Sequence, residues 1–216
     1  MSVALKPQYW ERAAAELAKA DAVMAGIIAC HPQVQLSSRG DAFATLARSI
    51  VGQQISVKAA DAVWARVLAS CPELSPERVM RKRTSSLRAC GLSERKVEYL
   101  RDLARHFANG QVDPARFPEL DDEQIIAELT DIHGIGRWTA EMFLIFNLLR
   151  PNVLPLADLG LLRAVGLHYF DGEPAESLLR GAGRKRVETL AERWAPWRSV
   201  ATWYLWRSLD PVPVEY

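Results

Sequence analysis

The sequence has little of what would place it in several large functional classes. Its three cysteines, Cys30, Cys71 and Cys90, are odd in number and far apart. That argues against a disulfide framework and against a four-thiolate zinc or iron–sulfur centre. The four histidines, His31, His106, His133 and His168, show no ligand spacing with one another or with a cysteine, so a transition-metal enzyme is not expected. No apolar run reaches the roughly eighteen residues of a membrane span. The opening MSVALKPQYWERAAAEL carries charges where a signal peptide needs an apolar stretch, so a cytoplasmic protein is expected. Alternating segments long enough for a sheet, repeats and low-complexity tracts are also missing.

What remains is an ordinary globular composition, 49% hydrophobic and 25% charged, with a net charge of only +1. The total hides a segregation. Residues 78–105 hold nine Arg or Lys against three acids, and 113–131 hold seven acids against one Arg. The segment 180–198 is basic again, with Arg180, Arg184, Lys185, Arg186, Arg193 and Arg198 against two Glu. Such separation builds a positive face on a nearly neutral protein.

Apolar spacing predicts helix almost everywhere: over 8–29, from Asp41 through Val51, from Ser56 to Cys71, and at 75–81, 84–89 and 93–109. Asp121 opens another to Leu129 or Thr130, followed by 137–149, 158–168, 175–180, 184–193 and 197–209. The separators carry Gly or Pro. The expected fold is all-α, with two helical lobes flanking a cleft, and residues 1–216 forming a single catalytic unit.

The most specific local pattern is Leu129-Thr-Asp-Ile132-His-Gly134-Ile135-Gly136-Arg-Trp138-Thr139-Ala140. Helical pattern lies on both sides of two glycines one residue apart. Glycine tolerates positive φ and permits close approach of another backbone, so the chain can reverse very tightly here. The next helix then begins with free N–H groups, a natural phosphate site, and Ile132 and Ile135 can tuck inward. This is a helix–hairpin–helix pattern, spanning about 122–149, which grips a DNA backbone without reading sequence. Carbonyls of Thr130, Ile132 and Ile135 left open in the turn could hold a monovalent cation, Na+ or K+, that bridges to a phosphate.

Downstream, Pro151 and Pro155 end one helix and Asp158 stands where the next begins. Asp is a favoured N-cap, and a structural cap is one reading. Beside a DNA-gripping hairpin there is a second: a carboxylate held near C1′ stabilises the oxocarbenium-like sugar formed when a glycosidic bond breaks.

The strings LTDIHGIGRWTAEMFLIF and VLPLADLGLLRAVG, with SIVGQQIS at 49–56 and AERWAPWRS at 191–199, are together similar to the helix–hairpin–helix/Gly-Pro-Asp DNA glycosylase superfamily. Within it the chain resembles the AlkA-type 3-methyladenine DNA glycosylase II over about residues 40–210. The resemblance implies base excision repair in the bacterial nucleoid: a monomer flips an alkylated base from double-stranded DNA and hydrolyses its glycosidic bond, leaving an abasic site. It makes Asp158 the catalytic aspartate. Trp138 falls where bifunctional members place the lysine that cleaves the strand, and no lysine lies between Lys96 and Lys185. Water is therefore the expected nucleophile, with no lyase activity and no required cofactor. A separate N-terminal β-domain is not expected.

An alkylated purine is cationic, which favours an electron-rich aromatic face. Trp138 and Trp206 are the candidates, with Met142 and Arg207 standing where related pockets offer tyrosines. Gln54 is the expected side chain to fill the gap a flipped base leaves. Gln53, Ser56, Gly134, Gly136 and Thr139 complete the expected DNA contacts. Two other readings share parts of this pattern. One is a glycosylase of the same fold for mismatched, deaminated or oxidised bases, and the other is a non-catalytic DNA-binding module.

Overall fold

The computed structural model describes residues 7–32, 36–38 and 40–209. Among these residues all regular structure is helical, with thirteen α-helices, two short 3-10 turns and no strand, so the all-α expectation holds. In chain order the helices are α1 (Trp10–Ala20), α2 (Ala22–Cys30), α3 (Ala42–Gly52), α4 (Val57–Ser70), α5 (Pro76–Arg81), α6 (Thr84–Ala89) and α7 (Glu94–Ala108). There follow α8 (Asp122–Thr130), α9 (Arg137–Phe146), α10 (Leu159–Tyr169), α11 (Ala175–Leu178), α12 (Gly181–Ala191) and α13 (Arg198–Leu209). No helix among the described residues is long and apolar enough to cross a membrane.

The helices fall into two compact units. One takes the described residues of Met1–Ser38 and Leu144–Glu215, the other those of Arg39–Phe143. In the first, α1 packs on α2, both pack on α13, and α10 joins α13 to α11 and α12. Its core contains Trp10, Leu17, Met24, Leu161, Val165, Trp194 and Leu205, all essentially inaccessible. Burying each such side chain stabilises the fold by about 1.5–3 kcal/mol.

The expected helix over 8–29 is broken at Asp21, and the reason is electrostatic. Asp21 leaves the helix with φ −146° and caps α2, its Oδ1 accepting the N–H of Val23 at 2.9 Å and of Met24 at 3.2 Å. Its Oδ2 accepts the Tyr169 hydroxyl at 3.0 Å and the Trp194 indole N–H at 3.2 Å. Burial and the Asp21 charge together push the Tyr169 phenol well above its ordinary value. A buried carboxylate with this many donors outweighs the continuation of one Ala-rich helix.

In the second unit α3 packs on α4 and α7, and α7 also covers α5 and α6. Phe43, Leu46, Ile50, Leu87, Leu100 and Leu103 form its centre. Helix starts follow local chemistry closely. Asp41, Ser56, Ser75 and Ser93 each accept an N–H of the following turn, and Asp121 with Gln124 forms a reciprocal capping box. Three expected helices differ in their bounds: 175–180 ends at Leu178, 184–193 forms as Gly181–Ala191, and 137–149 is shortened. α9 stops at Phe146 instead of 149, because Leu149 turns left-handed at φ 54° just ahead of Pro151 and Arg150 N–H closes onto Leu144 O at 2.9 Å.

Candidate functional site

In the second unit, α8 and α9 are joined by Asp131–Gly136, the expected helix–hairpin–helix. Ile132 donates its N–H to Leu129 O, and Ile135 donates to Ile132 O at 3.0 Å. Both isoleucines are buried, as their spacing suggested. Gly134 takes φ +87°, and a Cβ there would lie only 2.3 Å from the Tyr99 ring, so both conformation and packing require glycine. Gly136 corrects the expectation. Its φ is not positive and the space around its missing Cβ is open, so the turn itself makes no demand for glycine there. The exposed, uncluttered backbone at Gly136 instead permits close approach from outside.

Two other expected DNA contacts have partners within the protein, and a third is buried. The Gln53 amide donates to Gly134 O at 2.8 Å, bracing the hairpin. Thr139, in the first turn of α9, is buried, so its hydroxyl is not presented to solvent. Ser56 caps α4, its Oγ accepting the Ala59 N–H at 3.3 Å, and stays exposed. Gln54 behaves differently: it is exposed and left-handed, at φ 59°. A non-glycine residue in that region is strained by about 1–3 kcal/mol, the kind of cost found at functional positions. Exposed Ile55 and Val57 follow it, unusual company for a solvent loop.

Arg137, the cation at the start of α9, is spent internally. Its guanidinium donates to Glu123 Oε2 at 2.9 Å and to Glu141 Oε1 at 3.0 Å, tying the two legs of the hairpin. The contact with Glu123 raises the Arg137 pKa and holds the Glu123 carboxyl below its usual range. On the same helix, Trp138 is half-buried and Met142, one turn later, is buried.

In the first unit, Asp158 stands at the N-terminus of α10 with φ −80° and ψ 114°. Its Oδ1 accepts the Leu161 N–H at 2.6 Å, so the capping reading is physically realised. The same oxygen also accepts the Trp206 indole N–H at 2.8 Å, from 48 residues away. Two donors on one oxygen set the orientation of the planar carboxylate, and the positive end of the α10 dipole favours its charge. Trp206 is itself held in place: it stacks on Phe146 with centroids 5.8 Å apart at 10°, and meets Trp203 edge-on at 6.3 Å.

Sequence inspection does not single out Gly160 or Phe146. A Cβ on Gly160 would come within 3.1 Å of Asp158 Oδ1 and of Trp206 Cδ1. Glycine at this position is what lets the indole reach the carboxylate, and the only signal was its place two residues after Asp158. Trp206, expected as a stacking face for a base, is thus first of all a hydrogen-bond donor to Asp158. Arg207, whose destination the sequence left open, is buried with its guanidinium 4.7 Å from the centroid of Trp203.

Residues 47–193 match the sequence profile of the HhH-GPD superfamily base excision DNA repair proteins. The chain belongs to this superfamily. It is similar to a Bacillus subtilis (strain 168) protein, 37% identical over 136 residues, which are 62% of this chain and 45% of the relative. The chain thus spans less than half the length of that relative. Among solved structures it resembles a DNA-3-methyladenine glycosidase from Bacillus halodurans, with 35% identity, a TM-score of 0.82, and coverage of 92% of this chain and 89% of the other. It also resembles the 3-methyladenine DNA glycosylase of Schizosaccharomyces pombe in complex with abasic DNA, with 28% identity, a TM-score of 0.74, and coverage of 91% and 96%.

Proposed function

We propose that this member of the superfamily is a monofunctional DNA glycosylase of the 3-methyladenine II type, which excises alkylated purines from double-stranded DNA. The observation that carries the reading is Asp158, a carboxylate at a helix N-terminus whose Oδ1 is pinned by the N–H groups of Leu161 and Trp206. When the bond between C1′ and the base nitrogen breaks, its electron pair leaves with the base and positive charge develops on the sugar. A pre-oriented carboxylate stabilises that charge without reorganising, and it orients the water that adds at C1′. Alkylation at N3 or N7 already makes the purine cationic, so the leaving group needs little help. Similarity to the Bacillus halodurans DNA-3-methyladenine glycosidase and the Schizosaccharomyces pombe 3-methyladenine DNA glycosylase supports an alkylated purine.

Trp138 is a candidate stacking face for the flipped base, with Met142 one turn along α9. Strand cleavage needs an amine near C1′. With Trp138 at the position where the resemblance puts a lysine, and no lysine between Lys96 and Lys185, hydrolysis is the whole reaction. The hairpin turn suits a monovalent cation. Ile132 O keeps a lone pair beyond the bond from Ile135, and the carbonyls of Thr130, Ile132 and Ile135 are the oxygens that would hold Na+ or K+. A cation held there would supply positive charge for a DNA phosphate and would take no part in bond breaking.

The test uses DNA treated with a methylating agent and compares the wild type with Asp158→Asn. Asparagine is also a good N-cap and keeps an oxygen for Leu161 and Trp206, so stability should change by under about 1 kcal/mol. Base release should fall at least about 100-fold. Strands should break only after hot alkali. A folded, DNA-binding wild type that released no methylated base would overturn the alkylpurine reading in favour of deaminated or oxidised lesions.

A further inference from the structure

The loop bearing Gln54 and the hairpin turn are 80 residues apart in sequence, yet one hydrogen bond joins them directly: Gln53 Nε2 to Gly134 O, 2.8 Å. Gln53 immediately precedes the strained, exposed Gln54. Both elements also rest on one face of α7, through residues three apart. Lys96 donates its ammonium to Val51 O at 2.7 Å, at the end of α3 where the Gln54 loop begins. Tyr99 lies against Gly134 so closely that no Cβ fits. Asp102, buried to 8% exposure, accepts the His133 N–H on Oδ2 at 2.9 Å while Arg105 donates to its Oδ1 at 2.7 Å. Three-residue spacing puts side chains on the same side of a helix. Consecutive hairpin residues, 133 and 134, are therefore clamped from α7 and from Gln53, and the root of the Gln54 loop is clamped from the same helix.

We infer that Gln53 is a positioning residue: its amide locks the Gln54 loop to the hairpin on the α7 platform, so that gripping the phosphate backbone and filling the gap left by a flipped base occur at a preset separation. The inference rests on the glycosylase reading above. Without the lock, the strained conformation of Gln54 is no longer over-determined by its surroundings, and the ordering of the loop is deferred to the moment of DNA engagement. The phosphate grip itself, made by the hairpin backbone, is left in place.

The experiment is a double-mutant cycle on purified protein, with Gln53→Met, Gln54→Ala and the double variant. Methionine keeps the length and volume of glutamine and removes the donor. Single-turnover release of methylated purine is measured beside the fluorescence of 2-aminopurine placed next to an abasic analogue, which reports unstacking at the gap. Expected is a loss of about tenfold in both readouts for Gln53→Met, the worth of one well-formed hydrogen bond. Affinity for undamaged duplex should stay within about twofold. In the Gln54→Ala background the further effect of Gln53→Met should vanish, because the side chain being positioned is gone. A merely structural role would lower thermal stability without that coupling. Equal effects of Gln53→Met in both backgrounds, or no change in either readout, would overturn the inference while wild-type excision stood. A wild type that releases no base of any class would overturn both readings.

Discussion

Gly160→Ala separates the geometry of the carboxylate from the stability of the fold. Gly160 is the second residue of α10 and its backbone is not left-handed, so alanine by itself should stabilise the helix by up to about 1 kcal/mol. The added Cβ, however, would sit 3.1 Å from Asp158 Oδ1, 3.1 Å from Trp206 Cδ1 and 3.2 Å from Trp206 Nε1. Relief requires a neighbour to move by a few tenths of an ångström. Asp158 is anchored by Leu161 N–H at 2.6 Å, and Trp206 is stacked on Phe146, so the weaker link is the 2.8 Å bond between them. Hydrogen bonds to charged groups are worth about 1.5–3 kcal/mol. Losing about half of that on the carboxylate that meets the sugar cation corresponds to roughly fourfold to twelvefold in rate. Single-turnover excision on methylated DNA should fall by that factor, while the thermal midpoint stays level or rises. Undiminished excision with a raised midpoint would show that the Trp206 bond does not tune Asp158, and the reasoning would fail.

Three further outcomes follow from named contacts. Asp21→Ala strips acceptors from Tyr169, Trp194 and the first turn of α2, and should cost about 3 kcal/mol of stability in a denaturant melt; Asp21→Asn should recover part of it. Gly134→Ala, which forces a Cβ into Tyr99 at φ +87°, should destabilise by about 2–3 kcal/mol and weaken binding to undamaged duplex; a neutral outcome in both would refute the packed-turn description. His168, held against Ser208 Oγ at 2.8 Å, has its pKa lowered from 6.5 by burial. The unfolded chain therefore takes up a proton before the folded one, so stability is complete above about pH 6.5 and declines as pH falls from there to the folded pKa. A melt series from pH 7.5 to 5 on wild type and His168→Gln should show a shallower decline in the variant, and identical profiles would exclude the effect.

Helix boundaries were largely legible because caps are local chemistry. Asp41, Ser56, Ser75, Ser93, Asp121 and Asp158 each act on N–H groups two or three residues away, and side-chain type at short spacing is enough to locate them. The hairpin was legible for the same reason, since its isoleucines and its left-handed glycine are set within one turn of chain. The break at Asp21 was not, because its deciding donors, Tyr169 and Trp194, are 148 and 173 residues away.

The same division runs through the candidate site. That Asp158 would begin a helix, and that no lysine stands near the hairpin in sequence, could be read from the chain alone. That its Oδ1 is shared with Trp206, that Gly160 makes room for the indole, and that Gln53 is turned inward to Gly134 while Gln54 is left exposed depended on packing. Local sequence chooses backbone conformation over three or four residues, where capping and propensity act. Which side chain meets which across 48 or 81 residues is settled only when the helices bury their apolar faces together, and the directions of the donors follow from that burial.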